Sequence, residues 1–126
     1  MKNIVVRNTT QTPIYQQIYD QISSQIMNGD LHADQLLPSM RTAAKELRVS
    51  IITIKKTWEL LEKEGLIYTV QGKGSYVMGH TQVDLDEKKL DMIKDVLKGA
   101  IDSIKSYQIS KEKIIEIVNE IFKDEL

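Results

Sequence analysis

A chain of 126 residues, 41% apolar and 28% charged, has the length of one ordinary domain or a small domain with an appendage, and enough apolar content for a packed core. It has no cysteine, which excludes disulfides, thiolate metal sites and a cysteine nucleophile, and His32 and His80 lie too far apart for ligand spacing, so neither a metal site nor a cofactor is expected. The formal net charge of −1 is uneven: residues 35–80 carry seven Lys/Arg against four Asp/Glu, residues 81–126 eight Lys against eleven Asp/Glu.

The apolar runs are too short to span a bilayer, and no signal-peptide core follows Met1-Lys2-Asn3, so a cytoplasmic protein with no membrane partner is expected. Ile4-Val5-Val6 is a short β-prone run followed by a polar stretch. Thr12-Pro13 reads as a helix start, with a hydroxyl at the cap and proline at the first helical position. Ile14, Ile18, Ile22 and Ile26 then recur at a spacing of four, with the packing residues Tyr15 and Tyr19 beside them. Asn28-Gly29-Asp30 closes this helix, Gly29 suiting a left-handed position, and Leu31 to Leu37 is a connector.

Ser39, after Pro38, caps a short second helix with Ala43, Ala44 and Leu47 on its inner face and Arg41, Lys45 and Arg48 mainly on others. Val49-Ser50 breaks it, and Ser50 caps a third helix that runs to about Glu64 with Ile54, Trp58, Leu60 and Leu61 as its apolar set. Gly65 ends it. Leu66 to Val70 and Ser75 to Met78 are β-prone runs joined by the hairpin signal Gln71-Gly72-Lys73-Gly74.

Gly79 to Val83 reads as a linker. Leu90, Ile93, Leu97, Ala100, Ile104 and Tyr107 follow 3-4-3-4-3 spacing, and Met92, Val96 and Ile101 add apolar surface beside that seam. After Gln108-Ile109-Ser110, a last helix carries Ile114, Ile117, Val118 and Ile121 together with Ile115 and Phe122. A lone hairpin cannot bury apolar residues on more than one face of two short helices, so a second copy of the chain is the expected partner. The expected dimerisation set is Leu90, Ile93, Leu97, Ala100, Ile101, Ile104, Tyr107, Ile114, Val118, Ile121 and Phe122.

Helix, turn, helix and basic-tipped hairpin from Leu37 to Val77 are the layout of a winged helix-turn-helix unit. The expected fold is mainly α (α+β): a winged helix-turn-helix domain with a small β-hairpin wing over residues 1–79, then a C-terminal α-helical hairpin for dimerisation over 84–126. On the third helix Ile54, Trp58 and Leu61 face inward, leaving Ile51, Ile52, Lys55 and Lys56 outside near its N-terminal end, where free N–H groups favour phosphate. Trp58 is read as core, Gly72 and Gly74 can simply serve a tight turn, and His32 and His80 have no claim beyond the surface.

Six ordered blocks carry a resemblance. They are Pro13-Ile14-Tyr15-Gln16-Gln17-Ile18, Gly29-Asp30-Leu31, Leu37-Pro38-Ser39-Met40-Arg41, Leu47 to Thr53, Leu61-Glu62-Lys63-Glu64-Gly65-Leu66-Ile67 and Gln71-Gly72-Lys73-Gly74-Ser75-Tyr76-Val77. Together, over about residues 12–78, they resemble the DNA-binding domain of the GntR family of bacterial transcription regulators. The short C-terminal part resembles its YtrA-like subfamily, which lacks the large effector-binding domain of other branches. The resemblance implies that Arg41 contacts backbone or a base, that Lys55 stands where relatives often place a guanine-reading Arg, and that Gln71 and Gly72, with Lys73 beside them, approach the minor groove. One departure is Ile51, where many members have Arg, followed by Ile52. Isoleucine can touch a thymine methyl but cannot pair with guanine, so A·T-rich half-sites are expected there.

The expected function is a homodimeric, sequence-specific DNA-binding regulator, in the simplest case a repressor occluding a promoter, on an inverted-repeat operator with half-sites roughly 10 base pairs apart or a small multiple of that. The DNA-binding set is Ser39, Arg41, Ser50, Ile51, Ile52, Thr53, Lys55, Lys56, Gln71, Gly72, Lys73 and Gly74. Within it Arg41, Thr53, Lys56 and Lys73 are expected on phosphates, and Lys55, Ile51 and Ile52 on bases. An unidentified small-molecule effector is a possible further partner, although a two-helix hairpin has little room for an enclosed pocket. The rival from another class is a winged helix that binds protein instead of specific DNA. An enzyme would need a nucleophile-base pair, a carboxylate pair or a cofactor loop, and the sequence offers none.

Overall fold

The computed structural model of the chain describes residues 3–124; Met1, Lys2, Glu125 and Leu126, which fall within the expectations above, lie outside them. The described residues divide into two compact units, one ending at Asp86 and one beginning at Glu87.

Helix α1 spans Ile14–Met27. It starts one residue later than the sequence suggests: Pro13 itself takes the cap position, at φ −54° and ψ 147°, with no side-chain cap. The reason is local. Pro13 offers its carbonyl to the amides of Gln16 and Gln17, both at 3.1 Å, while the Thr12 carbonyl accepts from Gln17 Nε2 at 2.9 Å. Ile4-Val5-Val6 forms no strand; its backbone pairs with side chains of α1 instead. Two carboxamides of α1 stand in for a sheet edge. Gln21 Oε1 accepts from the Val5 amide at 2.8 Å while its Nε2 donates to the Val5 carbonyl at 2.7 Å. Gln17 makes the same pair with Arg7, both bonds at 2.8 Å. One helical turn, about 5.4 Å, nearly matches two extended residues, about 6.6 Å, so alternate residues of the segment meet successive turns of the helix.

Helix α2, Met40–Leu47, opens on Ser39, whose hydroxyl accepts from the Thr42 amide at 3.1 Å. It ends at Arg48, left-handed at φ 57°, with the Val49 amide bonded back to the Ala44 carbonyl at 3.0 Å. This Schellman turn is built on a non-glycine residue. Helix α3, Ile51–Lys63, opens on Ser50, which accepts from the Thr53 amide at 3.0 Å. It closes with the same motif at Gly65, φ 72°, where the Leu66 amide reaches the Leu61 carbonyl at 2.9 Å.

Strands β1 (Ile67–Val70) and β2 (Gly74–Val77) pair antiparallel, from Ile67 opposite Val77 to Val70 opposite Gly74. The Lys73 amide donates to the Val70 carbonyl at 2.9 Å and Gly72 has φ 79°, the geometry of a type II turn. The connector before α2 does more than connect. Leu36 bridges Tyr76, and Leu37 N–H and Val77 N–H donate to the carbonyls of Ser75 and Gln35 at 2.8 and 2.9 Å. The wing is therefore edged by a third, strand-like segment. The core is Ile18, Ile22 and Ile26 of α1, Ala43 and Ala44 of α2, Ile54, Thr57, Trp58 and Leu61 of α3, and Leu37, Leu66, Ile67 and Val77 around the wing, all buried.

Helix α4 spans Gln82–Ile104 and α5 spans Lys111–Asp124, with a 3-10 turn at Lys105–Tyr107. The linker is shorter than the sequence suggests, because Thr81 and Asp84 cap each other's amides, at 3.1 and 3.4 Å, and start α4 at Gln82. Ser110 caps α5 through the Lys113 amide at 3.2 Å. Neither helix buries a described residue. No helix among the described residues is long and apolar enough to cross a membrane.

Candidate nucleic-acid interface

Ser39 and Ser50 spend their hydroxyls as caps. Each also meets a second hydroxyl, Ser39 Oγ with Thr42 Oγ1 at 2.9 Å and Ser50 Oγ with Thr53 Oγ1 at 2.8 Å. No acidic residue lies in the first turn of α2 or α3, so the positive ends of both helices are left without a local carboxylate. That is the electrostatics of an anion-binding helix end.

The first turn of α3 presents Ile51 and Ile52 to solvent, 49% and 79% exposed, on an element whose other isoleucine, Ile54, is fully buried. Lys55 follows them on the exposed side, and Arg41 is exposed on α2. Lys56 is exposed too but not loose: its Nζ lies 4.0 Å from the centroid of the Tyr15 ring on α1. Such a contact at an exposed site contributes about 0.5–1 kcal/mol. Thr53 is half-buried behind them.

The wing loop Gln71, Gly72 and Lys73 is exposed, and with Gly74, Ser39, Met40 and Trp58 it lines a cleft of about 550 Å³. The fold thus brings the start of α2 and the wing together. Gly74 lies inside β2, not at the loop tip. Its φ of 129°, which L side chains rarely adopt, accounts for this glycine, and a Cβ there would in addition sit 3.1 Å from Leu36 Cδ1 of the bridging segment.

Three residues, Thr57, His80 and Tyr68, make supporting contacts that were not visible in the sequence. Thr57, fully buried, donates to the Thr53 carbonyl at 2.9 Å and reaches the Tyr15 carbonyl at 3.4 Å. His80, expected only at the surface, is half-buried with Nε2 2.8 Å from the Gly65 carbonyl. Tyr68 donates its hydroxyl to Asp34 Oδ1 at 2.8 Å, which raises its pKa, and stacks on Tyr76 at 5.5 Å between centroids. The Tyr19 hydroxyl of α1 is pushed up to about 12 by burial, then by the charges of Glu64 and Asp20.

Of the expected dimerisation residues, Leu90, Ile93, Leu97, Ala100, Ile101, Tyr107, Val118, Ile121 and Phe122 are exposed, and Ile104 and Ile114 are half-buried. Tyr107 falls in the 3-10 turn, not in α4. Among the described residues no cluster of His, Cys, Asp or Glu could hold a metal ion.

The profile of the family described as "Bacterial regulatory proteins, gntR family" matches residues 14–77, which run from the first residue of α1 to the last of β2. The chain belongs to the GntR family. The HTH-type transcriptional repressor YtrA of Bacillus subtilis (strain 168) is 34% identical over 113 residues, 90% of this chain and 87% of that protein. A GntR family transcriptional regulator from Listeria monocytogenes superposes with a TM-score of 0.68 at 33% identity, covering 87% of this chain and 96% of that one. The AraR DNA-binding domain in complex with operator ORX1 superposes with a TM-score of 0.53 at 33% identity, over 58% of this chain and 92% of that one. These relatives are regulators, not enzymes. This GntR-family chain is a transcription regulator with the family's winged helix followed by C-terminal helices.

Proposed function

We propose that this GntR-family regulator binds an inverted-repeat operator in double-stranded DNA as a homodimer and represses transcription in the cytoplasm by occluding a promoter. The observation that carries the reading is the open N-terminal turn of α3: exposed Ile51, Ile52, Lys55 and Lys56 on a helix end with no acidic residue in its first turn. Operator-bound AraR supports it by likeness of fold over 58% of this chain. In this reading Arg41, Thr53, Lys56 and Lys73 meet phosphates, with the first-turn amides capped by Ser39 and Ser50 beside them. Lys55 reads a base edge, Ile51 and Ile52 touch thymine methyls, and Gln71 and Gly72 let the wing approach the minor groove, with Gly74 shaping its return strand.

Dimerisation is supported by α4 and α5, whose apolar residues include Leu90, Leu97 and Phe122 at 57%, 51% and 69% exposure. A second copy of the chain is the partner that a regularly spaced seam fits. Two-fold symmetry then dictates an inverted repeat. A small-molecule effector, where one acts, does so by changing the relative orientation of the dimer's two DNA-binding domains.

The test is duplex-DNA affinity measured against salt. Three cations per protomer in a dimer predict a log–log slope of about −5. A second reading, a winged helix that docks protein, is favoured by the exposure of Ile52 and predicts only weak, non-specific duplex binding with a shallower slope.

A further inference from the structure

We infer that Tyr15 is a positioning residue of the DNA-binding surface, its ring holding the Lys56 ammonium in place to meet a phosphate. The inference rests on the DNA-binding reading above. Its geometric basis is the 4.0 Å separation between Lys56 Nζ and the centroid of the Tyr15 ring.

The ring can act as a fixed stand because its own backbone is anchored. Thr57, next to Lys56 and fully buried, donates its one hydroxyl proton mainly to the Thr53 carbonyl at 2.9 Å and shares it with the Tyr15 carbonyl at 3.4 Å, at the second residue of α1. Lysine, helix and ring therefore meet at one junction between α1 and α3. Lys55 is placed differently: it carries no such ring contact among the described residues.

The chemistry of the stand matters. A carboxylate partner would neutralise the cation and compete with phosphate for its N–H groups. An aromatic face attracts the ammonium through its quadrupole, leaves the charge intact and accepts no strong hydrogen bond. The N–H groups pointing away from the ring stay available to an anion. Lysine otherwise carries large rotamer entropy, which is lost when it is fixed on DNA. A side chain already narrowed to the ring loses less. Tyr15 thus acts on affinity through Lys56, without touching DNA itself.

A double-mutant cycle tests this, using the full chain, a labelled mixed-sequence duplex and a salt titration, with circular dichroism to confirm folding. Lys56→Gln is expected to weaken binding about tenfold and to flatten the salt slope by about 1 for each protomer bound. Tyr15→Leu is expected to weaken binding about two- to fivefold with the slope retained, and Tyr15→Phe, which keeps the ring, to match the wild type. In the Lys56→Gln background, Tyr15→Leu should cost nothing more.

Equal losses from Tyr15→Leu with and without Lys56 would overturn the inference, as would a Tyr15→Phe variant as weak as Tyr15→Leu, which would assign the effect to the hydroxyl. If Tyr15→Leu does not fold, Lys56→Gln decides alone: an unchanged affinity and slope would reduce the lysine to a pin between helices. A wild-type chain that binds no duplex would overturn the DNA reading and this inference with it.

Discussion

The imidazole of His80 closes the turn that ends α3: its Nε2 lies 2.8 Å from the carbonyl oxygen of Gly65. A carbonyl only accepts, so Nε2 carries the proton and donates. The Met78 amide makes a parallel tie to the Leu66 carbonyl at 2.9 Å. The chain leaving the wing is thereby bonded to the turn that entered it. His80→Ala is expected to lower stability by about 1 kcal/mol in urea unfolding, the ordinary loss for one hydrogen bond. An unchanged midpoint would show the contact to be idle.

The two glycines of the wing should answer differently to substitution. Gly72 has φ 79° with open space where a Cβ would stand, and Asn tolerates that region, so Gly72→Asn should cost less than about 1 kcal/mol. Gly74 has φ 129° and would place a Cβ 3.1 Å from Leu36 Cδ1, so Gly74→Ala should cost about 1–3 kcal/mol. Thermal melts rank the two, and the reverse order would contradict the packing described for the wing.

The positions readable in the sequence were those whose reasons are local. Ser39 and Ser50 cap the next turn of their own chain, and Gly29 and Gly65 take left-handed positions at φ 84° and 72° that glycine adopts freely. Ile18, Ile22, Ile54 and Leu61 followed from helical spacing and are fully buried. What escaped was non-local. Thr57 meets Tyr15 across 42 residues and His80 meets Gly65 across 15, and nothing in either neighbourhood names the partner. The strand-like pairing before α2 escaped because Asp34-Gln35-Leu36 has no β-branched residue and no alternating pattern. Arg48 escaped because a left-handed Schellman position is usually marked by glycine.

Tyr19 makes a pH prediction. Its folded-state pKa is raised from 10.0 to about 12, so the native state holds this proton more tightly than the unfolded chain does. The stabilisation is full below pH 10 and is lost as pH rises from there through about 12. Urea midpoints should therefore fall over that window more steeply for the wild type than for Tyr19→Phe. Tyr68, also raised, is present in both proteins and cancels in the comparison. Parallel pH profiles would show that burial of the Tyr19 hydroxyl carries no linkage.

Sedimentation at micromolar concentration should give a dimer, and Ile93→Glu combined with Leu97→Glu should give a folded monomer. Two charges on a dry seam disfavour association, while both positions are exposed in the single chain, at 52% and 51%. A monomeric wild type would contradict the assignment of α4 and α5, and an undisturbed dimer in the variant would move the interface elsewhere.

Selection of binding sites from a random duplex library, with the winners re-measured across salt, tests the central claim most directly. The account predicts an inverted repeat, half-sites about 10 base pairs apart or a small multiple of that, A·T pairs under Ile51 and Ile52, and affinity that falls steeply with salt. A library with no enriched repeat, and only weak, salt-sensitive binding, would contradict it and mean that a co-ligand is missing or that the α3 face meets a protein partner.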